Sequence, residues 1–128
     1  MKKRDNGTEI LLSNIIKGIH EKKGQNVLTI DLRKLDSRIA DYFVVCHASS
    51  TTQVSAICDS VEETARKEAG EKPLRIEGLE NCFWVLIDYG NVIVHIFTEE
   101  YRKFYSLESL WADAKIEIVE DKKVVNNG

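Results

Sequence analysis

Proline is nearly absent from this chain, with Pro73 alone among 128 residues, and glycine is sparse at seven. No Pro- or Gly-rich linker, internal repeat or low-complexity block interrupts the sequence, so a single domain is the simplest organisation, and the length is ample for a real core. Long apolar runs are missing too, which excludes a helical membrane span. Positive charge is not in excess: 18 Lys and Arg face 21 Asp and Glu, for a net charge of −3. A general basic surface is therefore not expected, nor direct DNA binding. The three cysteines form no Cys-x-x-Cys pair and the three histidines are scattered. They make no zinc pattern, and Cys46, Cys58 and Cys82 read as reduced, buried thiols. A Gly-rich phosphate loop is missing. Carboxylates that would hold a divalent metal stand apart, at Asp31, Glu77 and Asp88, so no metal and no cofactor is expected. Residues 1–7 carry charge without an apolar stretch of signal-peptide type behind them, so a cytoplasmic location is expected.

What is present is organised around one stretch, Cys82 to Phe97. Two β-prone runs flank Gly90-Asn91, a dipeptide suited to a tight turn. With that pair as the loop, Tyr89 faces Val92, Ile87 faces Val94 and Val85 faces Ile96. Alternation then gives a clean core face of Val85, Ile87, Tyr89, Val92, Val94 and Ile96. The other face carries Trp84, Leu86, Asp88, Ile93, His95 and Phe97. It is too apolar for open water and too polar for an ordinary core. Two readings stand: a second core under helices, or an exposed partner-binding surface with Trp84 as anchor and Asp88 as an acidic centre for a basic partner. Such a surface would also suit self-association.

Around the hairpin, Thr8 is placed to N-cap a helix running to about Lys22, with Leu11, Ile15 and Ile19 as its stripe and Gly24 as its stop. Val27 to Leu32 reads as a strand. Tyr42 to Cys46 is a continuous apolar run, the pattern of a central strand covered on both sides. Ser50-Thr51-Thr52-Gln53 fits a capping box opening a second helix, and Gly70 ends it. Pro73 to Glu77 predicts a short strand at an edge. After Phe97, Thr98 and Ser106 cap two short helical segments. Residues 114–119 alternate like a weak strand or tail. The expected order is α-β-β-α-β-β-β-α, a mixed α/β (α+β) sheet flanked by helices. Residues 8–119 form the domain, with flexible tails at 1–7 and 120–128.

Catalytic constellations are thin. Ser49, Ser50 and Thr51 at a helix start are able to hold an anion, but capping alone accounts for them. Cys46 and His47 are neighbours on a strand and point to opposite faces, so they form no nucleophile–base pair. Asp88 and His95 share a face, yet no nucleophile or oxyanion donor accompanies them.

One resemblance joins these features. Ala40-Asp41-Tyr42-Phe43-Val44-Val45, Ser50 with Gln53, Trp84 through Gly90, Val94-His95-Ile96-Phe97, Arg102, Phe104-Tyr105, Leu107-Glu108, Leu110-Trp111 and Asp113-Ala114 resemble the ribosomal silencing factor family (RsfS, also called Iojap or YbeB). The resemblance spans about residues 8–115. It implies a nucleotidyltransferase-like fold without that activity, and binding to the large ribosomal subunit through its protein number fourteen. It implies that the bound factor blocks joining of the small subunit, repressing translation when nutrients are scarce, and that the factor forms homodimers. By position, Trp84, Leu86 and Asp88 fall in the family's partner-binding patch, Tyr89, Gly90 and Asn91 supply its turn, and His95 and Phe97 match the signature. Departures are His47-Ala48-Ser49-Ser50, where Ser-Gly often precedes the Ser, and Asn91 in place of a frequent Asp. The alternative is a nucleotide-binding or nucleotidyltransferase-like enzyme of the same fold.

Overall fold

The computed structural model describes residues 2–36 and 39–120. A helix, α1 (Lys2–Glu21), leads into strands β1 (Gln25–Asp31) and β2 (Tyr42–Ala48). Helix α2 (Thr51–Thr64) follows and continues as a π-helical turn over Ala65–Ala69. Strands β3 (Arg75–Glu77), β4 (Trp84–Asp88) and β5 (Val92–Thr98) come next, then short helices α3 (Glu99–Tyr105) and α4 (Leu107–Leu110), and strand β6 (Lys115–Val119). The sheet order is β3-β4-β5-β2-β1-β6. All neighbours are antiparallel except β2 and β5, which run parallel. The expected mixed sheet flanked by helices is therefore found; both short helical segments after Phe97 form, and the weak strand or tail at 114–119 is a sixth strand.

The central strand follows from its composition. Every residue of β2 is buried, because helices lie on both sides of a continuously apolar run. On one side α1 and α2 cover Val44, Cys46, Val85, Ile87, Val94 and Ile96, with Leu11, Ile15 and Ile19 fully buried between them. On the other side α3, α4 and the connection from β1 to β2 cover Leu28, Ile30, Phe43, Val45, Ile93 and Phe97. The hairpin register matches alternation: Val85 pairs with Ile96 and Ile87 with Val94. Burying a dozen such side chains supplies the main driving force, at about 25 cal/mol per Å² of apolar surface.

Local details depart from expectation in five places, one of them Ser106, which precedes α4 in the left-handed region (φ 48°) and makes no side-chain cap bond. α1 begins at Lys2, so residues 2–7 form its first turns, and Thr8 is a buried helix residue rather than a cap. The left-handed residue that stops α1 is Lys23 (φ 62°) rather than Gly24; Gly24 is needed for space, since a Cβ there would run into Ile19. The capping box is offset. Ser50 accepts from the Gln53 amide (3.1 Å), but the Gln53 side chain reaches back to Ser49 and also donates to the carbonyls of Lys22 and Lys23, closing the end of α1. Finally, only Gly90 has positive φ at the hairpin turn (89°), the pattern of a II′ turn, so Asn91 does not need the left-handed region. Residues 121–128, most of the expected C-terminal tail, lie outside the described residues.

Candidate partner-binding face

The face singled out by alternation is split by the fold. Trp84, Leu86 and Asp88 on β4 are half-buried and reach the surface. Arg75 lies opposite Asp88 and Glu77 opposite Leu86, so these two side chains of the edge strand β3 join the same face. Arg75 donates to Asp88 Oδ2 (3.2 Å) and to Glu77 Oε2 (2.8 Å). Asp88 Oδ1 accepts from the Gly90 amide (2.7 Å), which ties its carboxylate to the turn. Asp88 is thus not a free charge. Glu77, with a side chain 57% exposed, is the more accessible acid.

Three of the remaining candidates turn inward. Phe97 is fully buried, His95 is 4% exposed and Tyr89 6%. Phe97 and Ile93 belong to the second core, so these two residues of the face serve packing. Tyr89 packs in the first core. Gly90 is exposed. Asn91 is engaged within the fold: its Nδ2 donates to Thr8 Oγ1 (2.9 Å), and its carbonyl accepts from the amides of Asp41 and Tyr42. Asp88 and His95 do not meet as an acid–base couple. His95 Nδ1 instead accepts from Trp84 Nε1 at 3.1 Å.

What sequence reasoning missed is a ladder of aromatic rings beside Trp84. Its indole stacks on Phe97 (4.8 Å) and meets Tyr105 (5.0 Å). Tyr105 in turn touches Tyr101 and Phe104, and Tyr101 stacks on Phe83. Phe104 is 80% exposed and Leu110 74%. The signal was there: a seven-residue helix with three aromatics holds more large rings than one covered face can bury. Glu99 and Glu100 at the start of α3 line a cleft with the Phe83 and Tyr101 rings, and Glu99 pairs with Lys103 (3.6 Å). Such an apolar surface rimmed by charge is characteristic of interaction sites.

Arg102 stands out in the sequence only as one letter of a motif, yet it is the most heavily bonded side chain of this side. It is buried, donates to the Asn26 carbonyl (2.7 Å), lies 3.0 Å from His47 Nδ1 and pairs with Glu108 (3.3 Å). A bulge in β1, with Asn26 at φ 49°, turns that carbonyl toward it. Burial, and next the Arg102 charge, push the His47 pKa down.

The Ser-rich loop lines a cleft of about 480 Å³ together with Phe83, Thr98, Glu99, Glu100 and Tyr101. Ser50 is engaged as a cap, and Ser49 bonds Gln53. Cys46 is fully buried, which raises its thiol to about 12 and leaves it inert. Among the described residues no group of three or more His, Cys, Asp or Glu side chains converges as a metal site, and no helix is long and apolar enough to cross a membrane.

A sequence profile of the family described as ribosomal silencing factor during starvation matches residues 5–127. The chain belongs to the ribosomal silencing factor family. The ribosomal silencing factor RsfS of Halalkalibacterium halodurans is 40% identical over 104 residues, covering 81% of this chain and 87% of that protein. The RsfS of Bacillus subtilis is 38% identical over 96 residues, covering 75% and 80%. A crystal structure of a protein from Chromobacterium violaceum is similar with a TM-score of 0.75 and 32% identity, over 87% of this chain and 91% of that one. Family membership carries a ribosome-associated, regulatory role.

Proposed function

We propose that this chain binds the large ribosomal subunit through its protein number fourteen and sterically blocks joining of the small subunit, repressing translation under nutrient limitation in the cytoplasm. The action is occlusion: no bond is made or broken, and the body of the domain fills space that the small subunit needs. The observation that carries this reading is the half-buried Trp84 at the inner end of an aromatic ladder that runs through Tyr105 to the exposed Phe104, with Glu77 of β3 on the same face, in a chain of the silencing family. A surface of that kind suits a basic protein partner, with aromatic contact at its middle and carboxylates at its rim. Self-association as a homodimer would cover the same apolar area.

The test is sedimentation with large subunits, small subunits and joined ribosomes through a sucrose cushion. The expected outcome is pelleting with large subunits alone. Trp84→Ala is expected to lower affinity at least about thirtyfold, the scale of an interface hot spot, while Lys17→Ala on α1, an exposed site in the other helical layer, leaves it unchanged. Wild-type affinity in a folded Trp84→Ala protein would remove Trp84 from the interface.

A further inference from the structure

His95 presents a puzzle. It is a polar ring on the face proposed for binding, yet it is 4% exposed and its Nε2 is buried without any hydrogen-bond partner. Its other nitrogen resolves the tautomer. An indole N–H only donates, so Nδ1, at 3.1 Å from Trp84 Nε1, is the acceptor. The neutral ring therefore carries its proton on Nε2, inside the domain. Phe43 meets the ring edge-on at 4.7 Å, and Phe97 lies parallel to it at 6.3 Å. No atom of this ring is available to a docking protein.

Its effect on a partner must then pass through Trp84. The indole stacks on Phe97 and meets Tyr105 at a tilt. Apolar contact is non-directional, so it leaves open which edge of the indole turns inward. The acceptor at His95 Nδ1 removes that freedom. It fixes the N–H edge inward and commits the outward edge to hydrocarbon.

We infer that His95 is a positioning residue for the interface: it locks the rotamer of Trp84, so that Trp84 offers its partner an apolar edge and no hydrogen-bond donor. The inference rests on the proposed binding role of Trp84. It assigns the partner's side of that contact to aliphatic or aromatic carbon, and it separates support from contact within the signature residues.

Two measurements test it. The first is amide and indole hydrogen exchange by ¹⁵N NMR on wild type, with Trp84→Phe assigning the two indole signals. The Trp84 indole proton is expected to be protected, and unprotected in His95→Leu. The second is a double-mutant cycle on affinity for isolated large subunits. His95→Asn places an amide oxygen near the position of Nδ1 and is expected to stay within about twofold of wild type, whereas His95→Leu loses about five- to tenfold, the value of one net hydrogen bond. In a Trp84→Phe background, which has no N–H to hold, His95→Leu is expected to cost less than about twofold. Equal losses in both backgrounds, or a freely exchanging Trp84 indole in wild type, would overturn the inference. If wild type fails to bind large subunits, the proposed function falls, and the indole exchange alone still decides whether His95 holds Trp84.

Discussion

His95 is also where a single residue makes the fold sensitive to acid. Desolvation alone lowers its pKa to about 4, from an ordinary value of 6.5. Well above pH 6.5 the ring is neutral in both folded and unfolded chains, so its contribution to stability is constant. Between pH 6.5 and 4 the unfolded chain binds a proton that the folded one refuses, so stability falls as pH falls. A tenfold difference in proton affinity is worth about 1.4 kcal/mol, which bounds the total loss at roughly 3 kcal/mol. The His47 pKa is lowered as well and adds to it. Urea midpoints of wild type are expected to drop between pH 7.5 and 5, and the drop should be clearly smaller in His95→Leu. An equal drop in the two proteins would mean that His95 titrates normally. None of this was legible in the sequence. Alternation put His95 on the correct face, but burial of a strand residue depends on what surrounds it, here the rings of Phe43, Trp84 and Phe97. Asn91 shows the same limit. As half of a turn dipeptide it looked available, yet its bonds go to Thr8 and to the amides of Asp41 and Tyr42, chosen by tertiary placement.

At the scale of elements, Arg102 docks α3 and α4 onto the sheet. One guanidinium joins the bulged start of β1, His47 on β2 and Glu108 on α4. Four- and seven-residue helices are too short to be stable by themselves, so this side of the domain depends on the clamp and on Leu107 packing beneath it. Removing one partner of a buried ion pair leaves the others desolvated and unpaired. Arg102→Met is expected to lower unfolding free energy by roughly 3 kcal/mol, measured by urea denaturation, and a further Glu108→Gln change should recover part of it. A loss under about 1 kcal/mol would show that water replaces the guanidinium without difficulty. The helices themselves were legible, because Thr98 caps α3 as its sequence predicts. The clamp was not, because its bonds join residues distant in the chain, and no local period signals a buried arginine.

At the scale of the whole molecule, the sheet has two unlike edges. β3 is short, follows Pro73 and carries Arg75 and Glu77, features that discourage edge-to-edge pairing. β6 pairs only with β1 and leaves Ile118 77% exposed. The hairpin and the central strand could be read from sequence, since alternation and a continuous apolar run are local signals. β6 read only as a weak strand or tail, because its buried partner lies far upstream and its own pattern is mostly exposed. The aromatic ladder escaped for a related reason: rings from Phe83, Trp84 and α3 meet only once β4 and β5 are paired.

The placement of β6 has a kinetic consequence. β1 leaves a ribosome before its outer neighbour β6, with four other strands made between them. The parallel pairing of β2 with β5 likewise waits for Val92 to reach Tyr42. Local structure, α1 with β1 and the β4–β5 hairpin, is able to form early, while closure of the sheet is delayed by long loops whose ordering entropy comes first. Refolding followed by stopped-flow fluorescence is expected to be slow for a chain of this size, roughly milliseconds to seconds, and microsecond refolding would show that closure is not the limiting step. During translation, the outer side of β1 stays an open edge until Lys115–Val119 arrives.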